Sequence, residues 1–414
     1  VPCLVHLFGS KNLLFTKFFI FYCLFSQMDF TYTKTQLLVQ KSVRRFAQEM
    51  LAPVASELDR QSRRLPKEIL DAMVNMGLFG IQIDEEYGGA GLDSISYCIA
   101  IDEISRACGS TGLMTTVHNS VCAMPIQMFG TEYQKEQFLR PLATGKSIGS
   151  FSVTEPGAGS DASGLQTTAT KDGNDWILNG QKCFVTNGGL SEIYLIAAVF
   201  DRSKGAKGVG LFICDTKMDG FRIGKIEQKL GLRSNPTSEI FLDNVRVPAE
   251  NVLGKPTDGF KIMMKTLDIG RIGIAAQALG IATAAFEAAA VYANERYQFN
   301  QPIGKFQGVS FKLAEMKTKL DASRYLIYRA ADLKDKGLDF SQASGMCKYF
   351  ATENAMDICT QAIQVFGGYG FIQDLPAERY FRDVKVTQIY EGTNEIMKMI
   401  IGNTILREYD PNSA

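Results

Sequence analysis

The chain has 414 residues, with 44 Lys and Arg against 44 Asp and Glu, nine Cys and only two His. Zero net charge excludes the broad basic surface that drives binding to nucleic acids or anionic membranes, so we expect neither partner. Two histidines also exclude a metal site built from several of them, and no metal is expected. The cysteines are widely spaced without a CxxC pair, which predicts free thiols in a reducing compartment.

Residues 1–27 differ in character from the rest of the chain. The aromatic, uncharged run at 18–25 is shorter than the about 20 apolar residues that a membrane-spanning helix needs. No small-residue cleavage site follows it, and it is not Arg-rich as a mitochondrial presequence would be. We interpret 1–27 as a processed leader or a non-native extension, and we expect no stable membrane insertion.

Two regions of different periodicity follow the leader. Helical spacing of apolar residues predicts an N-terminal helical domain at 28–147. Short β-type runs bounded by turn residues predict a β domain at 148–256. Within it, Asn179 and Gly180 have the composition of a type I′ hairpin turn, because both central residues of that turn need a positive φ.

The helical pattern returns in the last third of the chain and predicts a helical domain at 257–414. The order is therefore helices, a β block, and helices again, which makes the fold class multi-domain α and β. Four long amphipathic or Ala-rich segments are predicted, at 260–299, 309–336, 341–366 and 393–406.

The candidate histidine and two small-residue segments each have a simple structural interpretation. With His6 in the leader, His118 is the remaining candidate for a Ser–His or Cys–His pair, but we interpret it as a residue hydrogen-bonded to its neighbours. Residues 154–161, TEPGAGSD, could bring backbone N–H groups close to a phosphate or a polar ring edge, or could be an interdomain turn. Residues 268–271 begin a helix rich in small residues, for which tight helix packing is the simpler interpretation.

Three later features could serve a ligand or a reaction. Arg296 closes a long helix, where it opposes the helix dipole and could also serve a pyrophosphate. Residues 364–370 combine a helix end with a glycine turn. Glu391 lies between apolar residues and a glycine, where burial would raise its pKa and make it a base near neutral pH. A carboxylate that merely interacts with the dipole of the last helix is the alternative, which the isolated residues slightly favour.

Taken together, in this order and at these separations, the segments resemble those of the acyl-CoA dehydrogenase family over about 34–407. The similarity is greatest to the short-chain (butyryl-CoA) members, through LDIGRIGIAAQALGIA and PAERYFRDVKVTQIYEGTNEI. The resemblance implies an all-helical N-terminal domain, a central β-sheet or barrel domain and a C-terminal four-helix bundle, assembled as a homotetramer. It also implies FAD, an acyl-CoA substrate, electron-transferring flavoprotein as the electron acceptor, and the mitochondrial matrix as the location.

The resemblance also implies which residues form the binding sites. Residues 151–160 and 184–186 would line the flavin, and residues 393–395 would complete the cofactor site. Arg296, Gln307 and residues 364–368 would hold the adenine end of FAD, largely across a subunit interface. The whole FAD set is Phe151, Val153, Thr154, Gly159, Ser160, Phe184, Val185, Thr186, Arg296, Gln307, Gln364, Val365, Phe366, Gly367, Gly368, Thr393, Asn394 and Glu395. The acyl-CoA contacts would be Ser160, Asp268, Ile269, Gly270, Arg271 and Gly392.

Glu391 matches the catalytic base of the family. The implied reaction is α,β-dehydrogenation of an acyl-CoA thioester in fatty-acid β-oxidation. Glu391 would remove the α proton while the β hydrogen leaves as hydride to flavin N5. The Glu391 N–H and a flavin ribityl hydroxyl would stabilise the thioester carbonyl. Some members carry the base on an earlier helix, but Gly270 stands there, which argues against the isovaleryl-type and long-chain-type arrangements.

Two residues depart from the family pattern. Phe184 replaces a common Trp beside the flavin, and Asn300 replaces a common glycine, although Asn also tolerates a left-handed backbone. Three alternatives stay open: a short branched-chain (2-methylbutyryl-type) dehydrogenase of amino-acid catabolism, an acyl-CoA oxidase, and a noncatalytic acyl-CoA-binding protein. Intact Glu391 and cofactor motifs disfavour the last of these.

Overall fold

A computed structural model describes residues 31–410 of the chain, so the interpretation of 1–27 lies outside the described residues. Its N-terminal part is helical, as predicted. Three π-helical turns interrupt this part, and one of them, Val117–Ala123, connects the α-helices at 109–116 and 124–129 without a break. The α-helices are α1 (Lys34–Phe46), α2 (Ala52–Gln61), α3 (Lys67–Asn75), α4 (Ser94–Ala107), α5 (Gly109–Thr116), α6 (Met124–Phe129), α7 (Glu132–Gln134) and α8 (Arg140–Ala143).

His118 lies in the Val117–Ala123 turn and joins the helical part to the sheet. The backbone N–H of Gly149 donates to its Nδ1 at 3.0 Å, so Nε2 carries the proton and donates to the carbonyl of Phe79 at 2.8 Å. Burial lowers the pKa of His118 to about 4, which keeps the ring neutral. Both ring nitrogens are therefore used by the fold, which confirms the structural interpretation of this histidine.

The central part forms one mixed seven-stranded sheet in the order β1-β4-β2-β3-β7-β6, with β5 paired to the other edge of β4. β1 and β2 both run parallel to β4 and share one of its edges. This arrangement leaves the end of β1 free to continue into the segment at 154–161. The strands are β1 (Gly149–Ser152), β2 (Thr168–Asp172), β3 (Asp175–Thr186), β4 (Ile193–Val199), β5 (Val209–Asp215), β6 (Phe221–Ile226) and β7 (Thr237–Val247).

The predicted hairpin turn at Asn179 and Gly180 is wrong, because both residues lie inside the twelve-residue strand β3. The register against β7 shifts between Leu178 and Gly180, which marks an irregularity in the ladder. A Cβ at Gly180 would come within 2.5 Å of the Thr167 hydroxyl, so the glycine permits a close approach and not a chain reversal. Asn179 instead pairs across the irregularity with Asn244, accepting from its backbone N–H at 2.8 Å.

The C-terminal part is a bundle of long helices, which together with the preceding parts confirms the predicted fold class. The longest helix, α9, packs against α11 in the bundle and against α4 of the N-terminal part. The helices are α9 (Gly259–Glu295), α10 (Gln307–Asp335), α11 (Ser341–Phe366), α12 (Gly368–Phe371), α13 (Ala377–Val384) and α14 (Asn394–Glu408).

α9 ends at Glu295, earlier than the predicted 299, because a small hairpin follows it. β8 (Tyr297–Gln298) pairs with β9 (Gln301–Pro302), and the two residues between them, Phe299 and Asn300, have φ values of 52° and 64°. The expectation that Asn300 supports a left-handed turn is therefore confirmed.

Three features of the described residues bear on membranes, metals and thiols. One helix, Pro256–Glu295, is long and apolar enough to cross a membrane, but it lies mostly buried inside the protein, as core helices of soluble proteins do. No group of three or more potential metal ligands occurs in residues 31–410. The seven cysteines of this part are all free and buried, as predicted.

Candidate active site

Glu391 lies in the short connection between a 3₁₀ turn (Lys385–Gln388) and α14. Its φ is 52° and that of Gly392 is 96°, so two consecutive residues have left-handed backbones. Such a conformation costs about 1–3 kcal/mol for a non-glycine residue and persists only where the surroundings hold it. This reversal directs the Glu391 carboxylate towards α9.

Gly270 of α9 provides the space that the Glu391 carboxylate occupies. A Cβ at Gly270 would come within 1.9 Å of Oε2 of Glu391 and within 2.7 Å of Cγ1 of Val121. Any side chain at 270 would therefore displace the carboxylate. Gly270 thus stands at the α9 position where some family members carry the base, and the Glu391 carboxylate lies against it.

The Glu391 carboxylate is buried and lacks a hydrogen-bond partner among the described residues. Burial raises its pKa to about 8, and the nearby positive charges of Arg271 and Lys348 oppose the rise. A carboxylate with a pKa near the working pH and free lone pairs can accept a proton from a bound molecule. The arrangement therefore suits a general base, and the interpretation of Glu391 as a helix-dipole carboxylate does not explain its burial.

Asp268 and Arg271, both expected at the acyl-CoA site, form a buried ion pair in α9. The guanidinium of Arg271 lies 2.6 Å from Oδ1 of Asp268, which also accepts from the Ser341 hydroxyl at 3.1 Å. Nε of Arg271 points to the carbonyl oxygen of Glu391 at 3.4 Å. The pair thus supports the loop at 389–393, here called the Glu391 loop, through the carbonyl group of Glu391. Ile269 is buried in the main core, so its predicted substrate contact stays a prediction.

The segment predicted to line the flavin follows the free end of β1. The backbone N–H of Cys183 donates to the carbonyl of Thr154 at 2.9 Å, which fastens this segment alongside β3. Phe184 has a φ of 54°, lies in the second irregularity of β3, and is 66% exposed. Phe184 therefore presents its ring outward, next to the segment that begins at Thr154.

The glycine-rich loop at 154–161 has an open face. A Cβ at Gly157 or Gly159 would meet nothing within 4 Å, and Ser160 is exposed. Glu155, in contrast, is buried and accepts from Nζ of Lys182 at 2.7 Å and from two backbone N–H groups, of Gln166 and Thr167. Glu155 is thus an internal anchor that leaves the loop's glycines available to a ligand. Neither Glu155 nor Lys182 was singled out from sequence, because nothing in their spacing indicates that they meet.

A small apolar cluster joins the residues predicted to line the flavin to the neighbourhood of Glu391. Phe151 of β1 and Tyr390, the residue before Glu391, both pack against the same buried group. The hydroxyl of Tyr390 donates to Oε1 of Gln277 on α9 at 2.6 Å. The buried members of this cluster are Leu113, Val117, Val121, Leu232 and Ile274.

Several residues predicted for the adenine end of FAD line one groove of about 520 Å³. Arg296, just after α9, lies on one side, and Gly367 with a φ of 62° ends α11 on the other. Gln364 and Gln307 lie outside the lining residues. The predicted residues that line the groove are Arg296, Val365, Phe366, Gly367 and Gly368.

The last predicted cofactor residues, Thr393, Asn394 and Glu395, begin α14. The Thr393 hydroxyl accepts from the backbone N–H of Ile396 at 3.3 Å and caps the helix. Asn394 is buried, and its side chain is hydrogen-bonded inside the protein. Glu395 is exposed. Contacts of these residues with FAD stay predictions.

Comparison with known proteins assigns all three parts of the chain. Models of the N-terminal, middle and C-terminal domains of acyl-CoA dehydrogenases match residues 33–146, 150–245 and 257–406. The mouse mitochondrial short-chain specific acyl-CoA dehydrogenase is 44% identical over 376 residues, which are 91% of each chain.

Two solved bacterial structures are similar throughout. Butyryl-CoA dehydrogenase of Megasphaera elsdenii has a TM-score of 0.90 and 45% identity, covering 92% of this chain and 100% of that one. A chain from the structure of the electron transferring flavoprotein of Acidaminococcus fermentans, solved in work on flavin-based electron bifurcation, has a TM-score of 0.90 and 48% identity with the same coverage.

Proposed function

The chain belongs to the acyl-CoA dehydrogenase family of FAD-dependent oxidoreductases, and from this premise we propose that it dehydrogenates short-chain acyl-CoA thioesters at the α and β carbons. The product is the trans-2-enoyl-CoA. Glu391 is the base that takes the α proton. The observation that carries this assignment is the buried Glu391 carboxylate against Gly270, which has no hydrogen-bond partner within residues 31–410.

The geometry of the Glu391 loop supports this role. The carboxylate has free lone pairs, and its raised pKa of about 8 makes it a stronger base than an exposed glutamate. The Asp268–Arg271 pair steadies the loop through the Glu391 carbonyl. The backbone N–H of Glu391 is proposed to donate to the thioester carbonyl, where negative charge develops as the α proton leaves.

The residues that would hold FAD fit a flat ring joined to a pyrophosphate and a second ring. The open faces of Gly157 and Gly159 admit a ligand close to the backbone, and the exposed ring of Phe184 offers a flat surface. Arg296, which lines the groove, supplies a positive charge that a phosphate of FAD could bind. When bound, FAD supplies the hydride acceptor, N5 of its flavin ring. Phe151 and Phe184 are among the residues that would hold that ring, and the chain's further contribution is to present the Glu391 carboxylate as the base.

Substitution of Glu391 tests the base assignment. We expect Glu391→Gln to bind FAD and butyryl-CoA as the unaltered enzyme does, because Gln has nearly the same shape. The rate of flavin bleaching by butyryl-CoA should fall by about 10²-fold or more, since proton abstraction is lost. The measurement is stopped-flow absorbance with FAD content and ligand binding recorded alongside. A normal bleaching rate in this variant would show that another group is the base.

The acyl chain is the finer part of the proposal. The descriptions of the mouse and Megasphaera relatives support a straight short chain. The second candidate is a short branched chain of the 2-methylbutyryl type. A series of straight and branched acyl-CoA thioesters, followed by flavin bleaching, decides between them. Rapid reoxidation by oxygen after bleaching would instead indicate an oxidase.

We further propose that electrons leave the enzyme to an electron-transferring flavoprotein, that the chain assembles as a homotetramer, and that it acts in the mitochondrial matrix. The Acidaminococcus structure supports a partner of this kind, because the matched chain comes from a study of such a flavoprotein. The mouse relative supports the mitochondrial location, whereas the bacterial relatives support no organelle. Reoxidation of bleached enzyme by purified electron-transferring flavoprotein tests the partner.

A further inference from the structure

Lys348 is a fully buried lysine on α11 that faces the Glu391 loop. Its Nζ donates to the carbonyl of Gly392 at 2.8 Å and to Oδ1 of Asn394 at 2.8 Å. A buried ammonium costs several kcal/mol of desolvation and persists only where partners compensate. Lys348 therefore occupies a core position where an apolar side chain would cost less desolvation free energy, which calls for a reason other than packing.

The contacts of Lys348 fix the part of the chain that is conformationally strained. Glu391 and Gly392 have left-handed backbones, and the carbonyl of Gly392 is held by Lys348 while that of Glu391 faces Nε of Arg271. Both carbonyls of the reversal thus face buried cations from two different helices. Asn394, the second partner of Lys348, is itself tied to α11, because its Nδ2 donates to the hydroxyl of Thr352 at 3.0 Å and to the carboxylate of Glu353 at 2.7 Å.

We propose that Lys348 is a positioning residue for the reaction: it holds the Gly392 carbonyl, keeps the Glu391 carboxylate over Gly270, and supplies positive charge beside that carboxylate. This inference rests on the proposed function of Glu391. It assigns to Lys348 no contact with the reacting atoms.

The charges that act most strongly on Lys348 come from four parts of the fold. Glu391 lies on the loop, Arg271 on α9, Glu353 on α11 itself and Glu395 on α14. Burial lowers the pKa of Lys348, and Glu391 is the first of the acidic neighbours that oppose this fall. In return, the Lys348 charge holds the pKa of Glu391 below the value that burial alone would give. Loss of the Lys348 charge must therefore raise the pKa of Glu391.

The test measures the rate of flavin bleaching by butyryl-CoA across pH in the FAD-bound enzyme. We expect Lys348→Met to lower the rate at pH 7 by about 10-fold to 100-fold, since the base is displaced and less ionised. The midpoint of the acid limb should move to higher pH. Lys348→Arg keeps the charge, so its midpoint should stay near that of the unaltered enzyme. The matched control is Lys319→Met. Lys319 lies partly exposed on α10 and forms an ion pair with Asp357 of α11, so its loss should leave both the rate and the midpoint unchanged.

Lys348→Met with an unaltered rate and midpoint would overturn the inference. If that variant forms no FAD-bound protein, Lys348→Gln decides, because its amide can still donate to the Gly392 carbonyl but carries no charge. An upward shift of the midpoint in Lys348→Gln supports the inference, and an unchanged midpoint refutes it. Failure of the base assignment itself is seen separately, as normal bleaching in Glu391→Gln.

Discussion

At the scale of single residues, the active centre combines two unfavourable features in Glu391. Its backbone is left-handed, and its carboxylate is buried without a hydrogen bond from the described residues. Neither feature stabilises the fold. Both are explained if the residue must reach a substrate carbon and be a stronger base than an exposed glutamate.

The raised pKa of Glu391 predicts how stability depends on pH. The folded value of about 8 lies above the ordinary value of 4.5, so the folded chain binds this proton more tightly than the unfolded chain does. The stability that the protonated group contributes is full below about pH 4.5 and is lost as pH rises to about 8. Glu391→Gln cannot ionise and should therefore melt at a higher temperature than the unaltered enzyme at pH 9, and at nearly the same temperature at pH 4.5.

Thermal unfolding of the FAD-bound proteins at the two pH values checks this, with Glu68→Gln as the control. Glu68 lies exposed on α3, so its substitution should change neither melting temperature. Equal melting of Glu391→Gln and the unaltered enzyme at pH 9 would mean that the Glu391 carboxylate is not desolvated in solution.

The sequence predicted Glu391 as the base through its match to the family motif, since its own apolar and glycine neighbours slightly favoured a carboxylate that interacts with the helix dipole. It did not predict Lys348 or Lys182, which are each a single lysine in a helix or a strand. Lysine is rarely buried, so an isolated one indicates a solvated surface. Only the folded chain shows that each meets a partner far away in sequence, Gly392 for one and Glu155 for the other.

At the scale of elements, β3 carries the largest difference between sequence and structure. Asn179 and Gly180 have turn composition, yet β3 passes through them, and the true chain reversal lies at 173–174, between Asp172 and Asp175. Local composition could not decide this, because the pairing of β3 with β7 is a contact distant in sequence. The second irregularity of β3 turns Phe184 outward beside the glycine-rich loop.

The same strand supplies the anchor of that loop, which leads to a prediction about Lys182. Its ammonium is fully buried and lies 2.7 Å from a Glu155 carboxylate that is also buried. Lys182→Met leaves this carboxylate without its counter-charge, which costs about 3–5 kcal/mol of unfolding free energy. Because Glu155 anchors the glycine-rich loop at 154–161, which is proposed to contact FAD, the variant should also retain less FAD. Denaturant unfolding and the FAD absorbance of the purified protein measure the two effects.

A double variant separates the buried charge from lost packing. Glu155→Gln together with Lys182→Met removes both charges and should recover part of the lost stability. Lys225→Met on the exposed strand β6 is the matched control and should behave as the unaltered protein does. The single variant Glu155→Gln completes the cycle. If the double variant is destabilised by the sum of the two single effects, the two side chains are not coupled and the ion pair does not hold the loop.

At the scale of the whole molecule, hydrophobic periodicity was sufficient for the order of helices, sheet and helices. It could not show how the three parts meet. Phe151 from the sheet, Val121 from the N-terminal helices and Tyr390 from the C-terminal part pack into one cluster. The proposed active site lies where they meet, so it requires all three parts of the fold.

The groove beside Arg296 is the place where the proposed homotetramer would bring a second copy of the chain to the site. Next to it stand exposed aromatic side chains, with Phe299 at 87% and Phe371 at 84% exposure. Apolar side chains grouped in this way are typical of a surface that another protein covers. A second copy is the occupant that the proposed homotetramer implies, and it would complete the groove for the adenine end of FAD.

FAD binding should therefore depend on assembly. We expect Phe371→Asp, which places a charge in the aromatic face, to reduce the assembled size and the FAD content together. Sedimentation velocity followed at a flavin wavelength and at 280 nm measures both in one experiment. Leu38→Asp on the exposed side of α1 is the matched control, because Leu38 is 65% exposed but distant in sequence from the groove. A dissociated Phe371→Asp protein that keeps its full FAD would show that a single chain holds the cofactor, and the adenine residues would then act within one subunit.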